Sequence, residues 1–230
     1  MEPPPNDDTQ EIRFASTVVL LRESDAGPEV LMLKRASKLV FFGGAWVFPG
    51  GKIEPEDGDL VNGLLDAARV AGARELFEEA GIQVRAADLV PFSRWVTPPG
   101  RTRRFDTFYF AVCAPEGEVR LDLTESEDHR WLTPKAALEA SARGEIELPP
   151  PTFVTVSQLA ELPNVKQACA TLAGDMMEYV PHPVQVEGVG IVYLYAGDAG
   201  YDTSDANAPG PRHRLWAVDG SWRYERKRTC

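Results

Sequence analysis

Three glutamates, Glu75, Glu78 and Glu79, stand at i, i+3 and i+4, so on a helix their carboxylates share one face within a single turn. Like charges that close repel unless a cation sits among them. An acidic helix of this kind is ordinarily a solvated surface, with Arg74 paired to Glu78 at i, i+4. The surroundings point elsewhere: a Phe48-Pro49-Gly50-Gly51 turn precedes the helix, Gly81 stands where a helix end wants a left-handed residue, and the remaining face is apolar. Oxygen-only ligands on a rigid element suit a hard divalent cation, Mg2+ or Mn2+, which would itself hold a phosphate. Glycine lets backbone approach closely, so a carbonyl at Gly50 or Gly51 could complete such a site.

Those side chains need a scaffold. Residues 13–21 and 29–34 are aliphatic and β-branched, and Ser24-Asp25-Ala26-Gly27-Pro28 between them is dense in turn formers, which predicts a hairpin. Residues 41–51 read as an aromatic strand with a tight exit turn. Residues 54–63 are acidic and aperiodic, hence loop, with Asp59 or Asn62 available to cap the helix. In that helix Leu65, Gly72, Leu76, Ala73, Phe77 and Ala80 form the inward stripe, and the glutamates face a cleft. Residues 90–96 and 105–113 are strands, the second alternating through Phe108, Phe110 and Val112. Their connection carries Arg101, Arg103 and Arg104, a charged hairpin tip or, by the forked geometry of guanidinium, a phosphate clamp. A short strand is expected at 118–123 and another at 129–132, with an acidic loop at 125–128 between them. Thr133-Pro134 then opens a helix, cap followed by proline.

Composition shifts at Leu148-Pro149-Pro150-Pro151. Beyond it helices are expected over 153–161 and 164–179, the latter capped by Asn164, then a strand at 189–195 and a hairpin around Asp219-Gly220. This segment has no repeat and no metal-type cluster. A net charge of −11 argues against nonspecific nucleic-acid binding, which needs a basic stripe. No apolar run approaches the roughly 20 residues of a membrane span. The acidic, proline-rich residues 1–11 read as a disordered lead-in, the opposite of a basic targeting sequence. Cys113, Cys169 and Cys230 are scattered, which suggests neither a disulfide framework nor zinc, and fits a cytoplasmic location. His129, His182 and His213 are equally isolated and are read as non-ligands.

Residues 51–82 resemble the Nudix box, G-x5-E-x7-R-E-U-x-E-E-x-G-U with U aliphatic, and Arg74-Glu75-Leu76-Phe77-Glu78-Glu79-Ala80-Gly81-Ile82 carries the resemblance. Counting eight back from Arg74 reaches Asp66 where the family has Glu, and Gly51 lies nine residues further upstream than the short pattern allows. The lead-in through Leu31, Met32, Arg35, Ala36, Gly44 and Phe48-Pro49-Gly50-Gly51 is similar to the extended motif of coenzyme A diphosphatases, with Leu33 in place of its Thr and Val40 in place of its second Arg. Trp95-Val96-Thr97-Pro98, Arg104-Phe105-Asp106-Thr107-Phe108 and Leu148-Pro149-Pro150-Pro151-Thr152 resemble the nucleoside-diphosphate-linked moiety X motif 19 group. That group's peroxisomal members end in a Ser-Lys-Leu-like signal, which Arg228-Thr229-Cys230 is not.

The resemblance implies an α/β fold, an α/β/α sandwich with a mixed sheet over residues 12–148, and a C-terminal α+β extension over 149–230 that serves packing or dimerisation. It implies a pyrophosphate hydrolase whose Mg2+ or Mn2+ is held by Glu75, Glu78, Glu79 and Gly50, with Arg74 orienting the carboxylates and Glu125 or Glu127 as an alternative base to a helix glutamate. Arg35, Arg101, Arg103 and Arg104 would hold the phosphates of a small-molecule nucleoside diphosphate derivative. Coenzyme A or its acyl esters are the expected substrates, giving 3′,5′-ADP and 4′-phosphopantetheine. ADP-ribose or dinucleotides are the alternative, and a non-catalytic metal- or nucleotide-binding regulator is the reading from another class.

Overall fold

The computed structural model describes residues 12–39, 42–98, 100 and 103–227; the lead-in, Val40 and Arg101 lie outside them. The first hairpin forms as expected. β1 (Ile12–Ser24) and β2 (Gly27–Arg35) run antiparallel, with Ser24 Oγ donating to the Gly27 carbonyl at 2.9 Å to tie the turn. β3 (Trp46–Val47) pairs with β2 and β4 (Gly50–Lys52) with β1, so the aromatic-glycine stretch yields two short strands. After a single 3-10 turn at Pro55–Asp57 comes the helix α1 (Leu64–Ala80).

β5 (Val90–Val96) and β6 (Arg104–Cys113) form the second hairpin, and β6 lies parallel to β1 over its whole length. β7 (Ser126–Leu132) pairs with β2. With β8 (Met177–Tyr179) the main sheet is mixed and eight-stranded, in the order β3-β2-β1-β6-β5-β8, with β4 paired to β1 and β7 to β2 off that path. Strand alternation divides the core. Val18 and Leu20, with Phe108, Phe110 and Val112, face α1, while Val19, Leu21, Tyr109 and Ala111 face the opposite layer. That layer is built by α2 (Pro134–Ala142), α3 (Pro150–Leu159) and α4 (Val165–Leu172). Thr133 and Asn164 cap α2 and α4 as expected, their side chains accepting from Ala136 N and Gln167 N.

Several elements depart from the sequence reading, among them β7, which begins at Ser126 inside the expected loop, and α1, whose N-cap is Gly63 rather than Asp59 or Asn62. The expected helix over 164–179 ends at Leu172, and Met177–Tyr179 becomes β8, a parallel partner of β5, where the Tyr179 ring stacks on Trp95 with centroids 4.0 Å apart. Residues 118–123 form no strand. Their backbone instead caps α1, Arg120 N donating to the Ala80 carbonyl and Asp122 N to that of Glu79, groups a helix C-terminus leaves unpaired. On α1 the inward stripe is Ala67, Ala68, Ala71, Gly72, Leu76 and Ala80, whereas Phe77 is exposed. Small residues bring the helix down on β1: a Cβ at Gly72 would stand 2.6 Å from Ser16 Oγ.

Beyond β8, strands β9 (His182–Val186), β10 (Gly190–Leu194), β11 (Arg212–Val218) and β12 (Ser221–Lys227) make a separate antiparallel sheet. The β11–β12 turn has Asp219 and Gly220 both at positive φ, 49° and 75°, as a two-residue hairpin requires. Tyr195 and Leu215 from this region share a cluster with Val19 and Leu21, so the C-terminal residues complete the second face of the main sheet. Among the described residues no helix is long and apolar enough to cross a membrane.

Candidate active site

β4 and α1 meet edge to helix, and glycine permits the contact. Glu79 is 7% exposed and its Oε2 accepts from Gly50 N at 2.8 Å. A side chain on Gly51 would run into the Glu75 carboxylate, which Arg74 holds over that residue, so it would displace that carboxylate from its place. Glu79 is thus buried at the helix–strand seam rather than turned to the cleft, a correction to the reading that put all the glutamates on the outer face. Gly81, at φ 69°, ends the helix with its N–H on the Phe77 carbonyl and releases the chain just beyond the glutamates.

Arg74 is the hub of the site. Its Nε and Nη2 bond the two Asp57 oxygens at 2.9 and 2.8 Å, Nη1 bonds Glu75 at 2.9 Å and Glu78 at 3.0 Å, and Nη2 also reaches the Lys52 carbonyl at 3.1 Å. All five guanidinium donors are used. Its pKa is driven further up, first by the Asp57 bonds, so this charge is permanent. For Asp57 burial opposes ionisation, but the Arg74 bonds and the Glu54 backbone N–H outweigh it and hold the carboxyl below its usual range.

Asp57 is the residue that the sequence reading missed. Counting back from Arg74 puts Asp66 where the family has Glu, yet its side chain is 84% exposed and pairs with Arg69 at 2.8 Å. Counting forward from Gly51 by the family's own spacing lands on Asp57, and the inserted residues lie between it and α1. The 3-10 turn seats it: Asp57 Oδ2 accepts from Glu54 N at 2.8 Å.

The carboxylates crowd each other. Burial, then repulsion from Glu75 and Glu125, raises the Glu79 carboxyl to about 8, with the Gly50 N–H and the nearby Arg35 guanidinium opposing. Glu75 is also raised, by burial first, with Arg74 opposing and Glu78 and Glu125 adding to the rise. Among the described residues no three such side chains already converge as a metal cluster; Arg74 holds one oxygen each of Glu75 and Glu78, and Gly50 N holds one of Glu79. An excess of carboxylate oxygen, half-buried and mutually repelling, is nevertheless the donor set a hard divalent cation fits.

The structure separates the remaining expected residues. Glu125 acts electrostatically on both Glu75 and Glu79. Glu127 is engaged elsewhere, accepting from Ser37 N at 2.7 Å and Ser37 Oγ at 3.1 Å and facing Lys34 Nζ at 3.3 Å. Arg35 lies within electrostatic reach of Glu79. Arg104 donates to the Thr97 carbonyl at 3.2 Å, and Arg103 is exposed at the same hairpin. Arg104 lies beside Ile12 on β1 and Gly50 beside Thr17, so the hairpin end is about 16 Å along the sheet from the glycine turn at ~3.3 Å per residue.

A Caenorhabditis elegans protein carrying the name nudix hydrolase 7 is 26% identical over 84% of this chain and 76% of its own length. The human acyl-coenzyme A diphosphatase NUDT19 is 36% identical over 48% of this chain, a match spanning 31% of that protein. The crystal structure of a NUDIX hydrolase from Alicyclobacillus acidocaldarius superposes with a TM-score of 0.64 at 26% identity, covering 73% of this chain and all of that one. The NUDIX domain description itself matches residues 12–150, more than half of the chain. The fold, the α1 carboxylates and these matches together make the chain a member of the Nudix family of hydrolases.

Proposed function

We propose that this enzyme cleaves the diphosphate bond of a nucleoside diphosphate-linked small molecule, with coenzyme A or an acyl-coenzyme A as substrate and 3′,5′-ADP and (acyl-)4′-phosphopantetheine as products. The supporting observation is the Arg74 hub, which ties Asp57, Glu75 and Glu78 into one rigid unit beside the Glu79–Gly50 seam. Glu75, Glu78, Glu79 and the Gly50 carbonyl would hold Mg2+ or Mn2+. Bound there, the cation would neutralise diphosphate oxygens and supply an activated water. Nudix hydrolases in general use divalent metal ions.

The chain's own residues divide the remaining work. Arg74 holds the carboxylates at fixed spacing, so little reorganisation is needed when charge develops in the transition state. Glu125 is the better-placed proton acceptor of the two expected, because Glu127 is committed to Ser37 and Lys34. Arg35, within electrostatic reach of Glu79, would meet the diphosphate, and Arg103 and Arg104, set apart from the glycine turn, would meet an extended ligand's distal phosphate. Coenzyme A is favoured by the upstream motif and by the name of the human relative.

The test is a substrate panel of coenzyme A, dephospho-coenzyme A, acyl-coenzyme A, ADP-ribose and diadenosine polyphosphates with Mg2+ and with Mn2+. A kcat/KM higher for coenzyme A than for its dephospho form supports a clamp on the 3′-phosphate. A higher value for ADP-ribose would replace this assignment with the ADP-ribose reading.

A further inference from the structure

The cysteines are far apart in sequence, yet two of them meet. Cys113 ends β6, Cys169 lies on α4, and their Sγ atoms stand 3.4 Å apart across 56 residues of chain. Both are free thiols. Closing that gap to the ~2.05 Å of a disulfide is a movement of about 1.4 Å shared between two side chains. Packing alone does not account for the pair: free cysteine is among the most buried of residue types, and Cys113 is exposed. The two side chains also join different parts of the molecule. β6 is a central strand of the Nudix sheet, and α4 belongs to the segment after residue 150, on the face away from α1.

We propose that Cys113 and Cys169 are a redox modification site, a dithiol that hydrogen peroxide converts into an intramolecular disulfide. The exposed Cys113, as thiolate, attacks a peroxide oxygen; the O–O bond breaks, hydroxide leaves and Cys113 becomes a sulfenic acid. The Cys169 sulfur then attacks Cys113 Sγ, the S–S bond forms, the S–O bond breaks, and the oxygen departs as water with the Cys169 proton. In sum two thiols lose two electrons and two protons, and one peroxide becomes two waters. Burial, with the neighbouring thiol, raises Cys169 to about 11, which suits it to be the second sulfur rather than the first. The bond would close a loop containing β7, α2 and α3, restricting the unfolded chain and raising Tm by roughly 5–10 °C.

The experiment uses the full chain, reduced with dithiothreitol, desalted and treated with hydrogen peroxide. The expected result is an intact-mass loss of about 2 Da, a non-reduced peptide map joining Cys113 to Cys169, and a rise in Tm that dithiothreitol reverses and that Cys113→Ser and Cys169→Ser each abolish. Mass gains from oxygen addition at Cys113 with Cys169 still a thiol would overturn the proposal, as would a bridge that uses Cys230. The mass and map are read on the unmutated chain, so poor folding of either variant leaves the outcome decisive.

Discussion

Two arginines in this molecule make nearly the same bonds for different ends. Arg74 grips Asp57 with both arms beside the glutamates of α1; Arg214 on β11 grips Asp198 with both arms, at 2.7 and 2.6 Å, beneath the second sheet. Arg74 keeps 30% of its side chain exposed and adds Glu75 and Glu78. Arg214 and Asp198 are 2% and 0% exposed, and every neighbour is structural: Ala206 O takes the third arginine bond, while Gly200 N and His213 N donate to the aspartate. A charge pair sealed from water and bonded otherwise only to backbone holds a fold together. The same pair at the rim of a cleft, with carboxylates to spare, can position chemistry.

That contrast predicts opposite phenotypes. The largest effect is expected from Asp198→Ala, which leaves Arg214 buried without its partner and should cost about 3–5 kcal/mol of stability with kcat per folded molecule unchanged. Denaturant unfolding alongside turnover measures both, and a loss of kcat without loss of stability would erase the distinction. Next is Glu79→Gln. It should lower kcat by about 100-fold or more, since even outer-shell partners of metal ligands are worth 10–100-fold, with the circular dichroism spectrum unchanged. The same variant should lose the rise in Tm that Mg2+ gives the unmutated enzyme.

Asp57→Asn should fall between, with kcat reduced by roughly 10-fold to 100-fold and KM little changed. Asp66→Asn is its control, and kinetics equal to the unmutated enzyme are expected because Asp66 faces solvent. Equal losses in the two would break the assignment of Asp57 to the hub.

The pH dependence sharpens the comparison further. For Asp198 burial opposes ionisation, but the bonds from Arg214, His213 N and Gly200 N outweigh it and depress its folded pKa. A depressed acid contributes stability above its unfolded value near 3.9, and that contribution drains away as pH falls through the folded value. The Tm gap between the unmutated chain and Asp198→Asn should therefore be constant from about pH 5 to 7 and narrow below about pH 4. A gap that widens on acidification would reverse the sign. The smallest effect belongs to Asn164→Ala, about 1 kcal/mol from the lost cap of α4.

The sequence alone determined whatever depends on neighbours within a turn or two. The i, i+3, i+4 spacing of Glu75, Glu78 and Glu79, Gly81 at the left-handed position, the caps Thr133 and Asn164 and the Asp219-Gly220 turn are local stereochemistry, and each is found where its residues place it. Only the tertiary structure decided which carboxylate meets Arg74. The inserted residues make Asp57 and Asp66 equivalent by counting, and the 3-10 turn bonded to Glu54 chose Asp57. Gly174-Asp175 is a local stop that ends α4, but Met177–Tyr179 becomes a strand only because β5 leaves an edge to pair and Trp95 offers a ring to stack on. Burial of Glu79, the Arg214–Asp198 pair and the meeting of Cys113 with Cys169 all join residues distant in the chain, and no periodicity encodes contacts of that kind.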